Sequence, residues 1–306
     1  MNSLVPDISI VICTYNRALY LPQALESLYH QTINKHQYEV IVVNNNSTDE
    51  TESVCKAFIE NHKDGRFVYM NETNQGASFA RNTGAAIANG PLLCFMDDDA
   101  IAYPNYLQLI IDFFKAYPDA GGLGGRIIPR YIPSEPKWMS HFVSSLVGNF
   151  DYSESICVFS PNKYPLESNM IIQRADFNAV NGFNTALPGV KGTLRIGGEG
   201  KEFFLKLKAI GKTIYYHPDI IVEHIVETKK LTSEYMYRVA SGIGRGEKVR
   251  TQTIGQLSYA KKIIEYLFKL GAACALAIGY LLQGKPAKMM PVIQFRIDAL
   301  KGLLGY

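Results

Sequence analysis

Ser9-Ile10-Val11-Ile12-Cys13-Thr14-Tyr15-Asn16-Arg17 decides the fold. With Ile8 in front, the first half is a compact β-branched run, which fits a strand buried on both faces. It stops at a polar loop, Thr14 to Arg17, after which Pro22 opens a helical stretch with Leu21, Leu25 and Leu28 on one face. The unit then repeats. Glu39 to Val43 reads as a strand that ends in Asn44-Asn45-Asn46-Ser47-Thr48-Asp49, and Glu50 to Glu60 reads as a helix. Phe67-Val68-Tyr69-Met70 is a third short strand, and residues 77–88 form a further helix. Leu92-Leu93-Cys94-Phe95-Met96 is a fourth strand, running into Asp97-Asp98-Asp99. Strand, loop and helix in alternation predict an α/β protein with a mostly parallel sheet flanked by helices. Ligands of such sheets gather beyond the carboxyl ends of the strands. Three of those ends carry dense polar clusters here.

Composition narrows the class. The chain has 306 residues, 47% hydrophobic and 19% charged, which is the balance of a globular protein. Basic residues number 31 against 28 acidic, so no general attraction to nucleic acid is expected. Cys13, Cys55, Cys94, Cys157 and Cys274 are scattered, which fits a reducing, cytoplasmic setting and lacks zinc-site spacing. Met1 to Asp7 carries no basic region ahead of an apolar run, so no signal peptide is expected.

From Pro129 to Pro165 prolines and aromatics interrupt regular structure. Trp138, Met139, Phe142, Val143, Leu146 and Val147 recur there at helical spacing, as either a small packed helix or a cover over an acceptor pocket. Further on, Ile263 to Leu282 is strongly apolar but interrupted by Glu265 and Lys269. Its unbroken part, Leu270 to Leu282, falls short of the roughly 20 residues that a membrane span needs. Lys261, Lys262, Lys285 and Lys288 flank it, as they would flank an interfacial helix on anionic lipid; a buried core helix is the other reading.

The chemistry-bearing residues begin with the acidic triplet. Adjacent carboxylates repel one another unless solvated or neutralised, and alternate residues share a side, so Asp97 and Asp99 would face together. Two such oxygen donors suit magnesium or manganese. The basic counterpart lies in Asn74-Gln75-Gly76-Ala77-Ser78-Phe79-Ala80-Arg81-Asn82. Gly76 permits close backbone approach, the following helix offers its first amides to an anion, and Arg81 can grip a phosphate bidentately.

In series these motifs resemble the family 2 glycosyltransferases of GT-A fold. Ser9 to Arg17 looks like the family's opening strand and loop. Val42 to Asp49 resembles its V-D-N-G-S-T-D signature, Asn74 to Asn82 its N-x-G-x-x-x-A-R-N, and Asp97 to Asp99 its D-x-D. Ser168-Asn169-Met170, Gly182-Phe183-Asn184, Gly198-Glu199 and Val222-Glu223-His224 echo later signatures, so the match runs from about residue 8 to 226. The resemblance implies a Rossmann-like GT-A domain over residues 1–226, with a nucleotide-binding part to about 100 and an acceptor-binding part after it. Residues 227–306 follow as a helical extension, possible membrane contact included. It implies that Thr14, Tyr15, Asn16, Arg17, Asn44, Asn46, Asn74, Gly76, Arg81, Asp97 and Asp98 bind the nucleotide sugar. Asp97, Asp99 and His224 would hold a divalent cation, Mn2+ or Mg2+. The implied reaction is inverting transfer from a UDP-sugar to a glycan or lipid-linked glycan, with cytoplasmic enzyme at the inner face of the plasma membrane.

Two positions depart from the family pattern. Asn44 replaces the usual aspartate, so it keeps a hydrogen-bond acceptor and loses the charge. In Gly198-Glu199-Gly200-Lys201-Glu202 the aspartate of the usual Glu-Asp pair is Gly200, leaving Glu199 as the expected base and Glu202, one turn on, as the second candidate. Two rival functions follow. A sugar nucleotidyltransferase would want a glycine-rich loop after the first strand, and Thr14 to Tyr20 has no glycine. A non-catalytic nucleotide-sugar-binding module would explain Gly200 but not the retained Asp97, Asp99, Arg81 and His224.

Overall fold

The computed structural model describes residues 5–191 and 194–306. The first elements are β1 (Ile8–Thr14), α1 (Leu21–Tyr29), β2 (Tyr38–Asn44), α2 (Thr51–Asn61), β3 (Phe67–Asn71), α3 (Ala77–Ile87) and β4 (Leu92–Asp97). Then come β5 (Ala100–Ala102), α4 (Tyr106–Ala116), β6 (Ala120–Ile132), α5 (His141–Ser144), β7 (Cys157–Val158), β8 (Asn169–Gln173) and α6 (Arg174–Ala179). The chain continues through β9 (Gly189–Lys191), β10 (Leu194–Ile196), α7 (Glu199–Ala209) and β11 (Thr213–Glu227). It ends in α8 (Ser233–Ile254), α9 (Gln256–Leu282) and α10 (Met289–Leu304).

Two compact units share these elements. The first comprises residues 1–128, 150–185 and 200–224; the second comprises 129–149, 186–199 and 225–306. The main sheet has the order β3-β2-β1-β4-β8-β6-β11-β5, with β7 added against β11. Its strands β3, β2, β1 and β4 are parallel, whereas β8 runs antiparallel to β4 and β6. A mixed, mostly parallel sheet between helices is the GT-A arrangement that the sequence led us to expect.

The register explains why the polar clusters converge. Thr14 pairs with Asn44 across β1 and β2, and Cys13 pairs with Asp97 across β1 and β4. The loops after all three strands therefore leave the sheet at one edge. β11 brings a fourth element there, since His224 stands opposite Ala100, the residue after Asp99. Strand alternation splits the core. Ile10, Val40 and Val42 pack with α1 and α4, while Val11, Ile41 and Val43 pack with α3, α6 and α7.

The second unit has its own core, in which Met139, Val143, Leu146 and Val147 meet Val239, Val292, Phe295 and Leu303. The proline-bounded segment is thus a packed one, but its helix is a single turn, α5, capped by Ser140 Oγ accepting from Val143 N at 3.3 Å. α9 differs more from expectation. It is a continuous helix of 27 residues, long and apolar enough by length and composition to cross a membrane. Only Tyr266, Ala273 and Ala277 in it are buried, so it is not the buried core helix that was one of the two readings.

Candidate active site at the carboxyl ends of β1, β2 and β4

The loops after β1 and β2 are fastened to each other. Asn16 and Asn46 adopt positive φ, 55° and 64°, a conformation that asparagine tolerates through its short polar side chain. Thr48 N donates to Asn16 Oδ1 at 2.7 Å, Asn16 N to Ser47 Oγ at 2.9 Å, and Arg17 N to Thr51 Oγ1 at 3.0 Å. Burial opposes ionisation of Asp49, but hydrogen bonds from Thr51 and Ala18 outweigh it and hold its carboxyl below the usual range. Of the residues expected around the nucleoside, Thr14 is buried and Tyr15 exposed. Asn44 is itself an anchor: Nδ2 donates to Tyr69 Oη at 2.8 Å, and Oδ1 accepts from Ser47 N at 3.0 Å. Asn46 Nδ2 donates to Thr73 O.

Asn45 was not among the expected site residues, yet it organises the next loop. Buried on the α3 side, it accepts from Gly76 N at 2.7 Å and donates to Glu72 O and Asn74 O at 3.0 and 2.7 Å. Alternation along β2 held the signal, because residue 45 shares a side with Ile41 and Val43. Gly76 has φ 143°, which only glycine adopts readily, and it opens α3. Asn74 turns to Glu72 Oε1, 2.9 Å away. Arg81 is buried one turn into α3, with its guanidinium 5.5 Å from the Phe183 ring. Burial pushes the Cys13 thiol up to about 12, opposed by the Arg81 charge and assisted by Asp97 and Asp98. Arg81 and the acidic turn thus bear on the same atom from two elements.

Asp97, Asp99 and His224 each offer a ligand atom, and these atoms lie within 4.8 Å of one another. His224 Nε2 is 3.0 Å from Asp99 Oδ1. Arg17, expected at the nucleoside, lies 3.8 Å from Asp98 Oδ1 and 3.4 Å from Asp99 Oδ2. Burial, and then the Asp99 charge, push the Asp98 carboxyl up to about 7, with Arg17 opposing. Two hard carboxylates and one imidazole converging in an excess of negative charge fit a divalent cation such as manganese.

α7 carries Glu199 and Glu202, the two carboxylates expected as base. Glu199, its first residue, is 5% exposed. Glu202 Oε1 is 3.0 Å from Lys206 Nζ, while Oε2 is buried with no hydrogen-bond partner among the described residues. Gly200 N donates to Glu167 Oε1 at 3.0 Å, bringing in a carboxylate that the sequence reading passed over.

The chain resembles known proteins in sequence and in fold. The chain matches the model of Glycosyl transferase family 2 over residues 9–179. It is 26% identical over 225 residues to the glucosyl-dolichyl phosphate glucuronosyltransferase of Haloferax volcanii, a match covering 71% of this chain and 68% of that protein. A validoxylamine A glucosyltransferase of Streptomyces hygroscopicus is 38% identical over 110 residues, 36% of this chain and 26% of its own length. Among solved structures, mannosyltransferase PcManGT from Pyrobaculum calidifontis in complex with GDP-Man and Mn2+ superimposes with TM-score 0.70 at 20% identity, over 98% of this chain and 87% of that one. S. aureus TarS 1-349 in complex with UDP gives 0.55 at 18% identity, over 98% and 92%. A signature matched over more than half the chain, on a GT-A sheet whose strand ends gather these acidic and basic residues, places it by descent: the chain belongs to glycosyl transferase family 2.

Proposed function

We propose that the protein is a metal-dependent inverting transferase that moves a sugar from a UDP-sugar to a hydroxyl of a glycan or lipid-linked glycan. The observation that carries this reading is the convergence of Asp97, Asp99 and His224, with the Arg81 charge nearby, at the edge where β1, β2 and β4 end. Asp97, Asp99 and His224 would hold Mn2+ or Mg2+, which when bound neutralises charge on the diphosphate. Arg81 adds a fixed cation for the leaving group. Arg17 keeps Asp98 and Asp99 in place by pairing with both. The loops bolted through Asn16, Asn44 and Asn46 form the floor for the nucleoside, and Asn44 Oδ1 retains a lone pair for a uracil N–H. Residues to about 100 make the donor half of residues 1–226, and the rest of that span makes the acceptor half. A carboxylate takes the proton of the attacking hydroxyl; Glu199 and Glu202 are the two that α7 supplies.

A UDP-bound and a GDP-mannose-bound neighbour make the nucleotide the first measurement. In calorimetric titrations with UDP, GDP and dTDP, each with manganese and with chelator, UDP is expected to bind tightest and only with the metal. Asp99→Ala should lose that metal-dependent binding. Binding that ignores both chelator and Asp99→Ala would remove the metal from the site. A second reading, a nucleotide-sugar-binding module without catalysis, is favoured by one observation, the missing carboxylate at Gly200. It requires UDP binding without donor hydrolysis or transfer.

The bare apolar face of α9 favours contact with a membrane surface. Leu257, Ile264, Phe268, Ile278 and Leu282 are exposed on one side of it, with Lys261 in its second turn and Lys285 and Lys288 just beyond its end. We read this as peripheral contact with an anionic inner leaflet, a position suited to the lipid-linked acceptor named for the Haloferax relative.

A further inference from the structure

We propose that Glu167 is the general base that takes the acceptor's proton, standing in the place that Gly200 leaves open. This inference rests on the transferase reading and concerns the same site. Glu167 lies in the turn that Asn169 N closes onto Leu166 O at 3.1 Å, just before β8. Asn169 stands opposite Met96 in the ladder, so this turn leaves the sheet beside the Asp97–Asp99 turn. The Asn169 side chain also donates to Ile220 O at 3.0 Å, which ties the turn to the strand carrying His224.

The carboxylate of Glu167 is aimed by α7. Oε1 accepts from Gly200 N at 3.0 Å, and a Cβ at position 200 would collide with that oxygen. Glu167 therefore fills the space that a side chain on Gly200 would take. Oε2 makes no hydrogen bond or ion pair among the described residues, and the side chain is half-exposed. One oxygen is held and the other is open to a substrate hydroxyl, which is the geometry that a base requires. The two carboxylates of α7 are less suited. Glu202 is paired with Lys206 and its other oxygen is buried; Glu199 is 5% exposed.

In the step, Glu167 Oε2 takes the hydroxyl proton as the acceptor oxygen bonds to the anomeric carbon. The bond from that carbon to the diphosphate oxygen breaks, and its electron pair leaves on the diphosphate. With water as acceptor the same step releases free sugar and nucleoside diphosphate.

The test uses the full chain with manganese and measures nucleotide release from UDP-glucose, UDP-N-acetylglucosamine and GDP-mannose, alongside calorimetric binding of the free nucleotide. Glutamine in Glu167→Gln still accepts from Gly200 N, so a residue that merely caps α7 would survive the change. The expectation is nucleotide affinity and thermal midpoint within about two-fold and a degree of wild type, with release slowed about 100-fold or more. Glu167→Ala vacates the space that a Cβ at position 200 would enter, so Glu167→Ala with Gly200→Asp should release nucleotide at least about ten-fold faster than Glu167→Ala alone, because the carboxylate returns from the helix side. Release by Glu167→Gln within about two-fold of wild type overturns the assignment while the transferase reading stands. A wild-type protein that releases nucleotide from none of the three sugars overturns both.

Discussion

Asn45 shows how a residue with no chemistry of its own can set a site. Its amide satisfies three backbone groups, Gly76 N, Glu72 O and Asn74 O, in a buried position. Removing one partner of a buried hydrogen bond costs about 1–3 kcal/mol for each group left unsatisfied. Asn45→Ala should therefore lose about 2 kcal/mol or more, seen as a lower urea midpoint at unchanged slope. The same variant should weaken UDP binding, because the loop that it loosens opens the helix carrying Arg81. An unchanged midpoint would mean that water replaces the amide. Asp97, Asp99, Arg81 and His224 could be named from the sequence because each falls in a motif of the family's series, and the structure brings a ligand atom of Asp97, Asp99 and His224 together. Asn45 and Glu167 could not, since the groups they serve, Gly76 and Gly200, lie 31 and 33 positions away. Asn44 illustrates the converse: its type hinted at base recognition, and the fold also employs it as a fastening between Ser47 and Tyr69.

Among the elements, the parallel strands were the easiest to anticipate, because Ile8 to Cys13 and Glu39 to Val43 can be stable only when buried on both faces. α5 was harder. Its apolar spacing extends from Trp138 to Val147, but prolines upstream and the cap at Ser140 leave a single α-helical turn. α8 and α10 rest on small residues that sequence alone does not pair. A Cβ on Gly244 would collide with the carbonyl of Ala299, and one on Gly302 with the carbonyl of Ser241. Those are backbone atoms in a packed pair of helices and cannot swing aside, so the contact tolerates no added methyl without displacement. Gly244→Val should cost about 2 kcal/mol or more and lower the calorimetric midpoint by several degrees. Gly271 in α9 has open space around it, and Gly271→Ala should stabilise by about 0.5–1 kcal/mol through helix propensity. Equal effects at the two positions would show that the α8–α10 spacing is not set by glycine.

At the scale of the whole molecule, α9 raises the question of what covers it. One side packs in the second unit through Tyr266, Ala273 and Ala277, while the other presents Phe268 and Leu282, 78% and 82% exposed. A large apolar side chain left in water forgoes about 1.5–3 kcal/mol relative to burial, so a row of them marks a surface meant for another phase or another chain. The lysines favour a lipid surface: Lys262 and Lys269 are paired with Glu265, but Lys261, Lys285 and Lys288 take part in no ion pair among the described residues. Each free lysine near an anionic leaflet adds about 1 kcal/mol, screened by salt. The 306-residue chain should therefore sediment with phosphatidylglycerol-containing vesicles and less with neutral ones, and added salt should reduce binding without abolishing it. Phe268→Glu removes the burial gain and should weaken vesicle binding by about ten-fold or more at unchanged UDP affinity. If the wild type ignores vesicles of either kind and sediments as a dimer that Phe268→Glu dissolves, the face belongs to a second copy of the chain. The lysines would then lie at its rim.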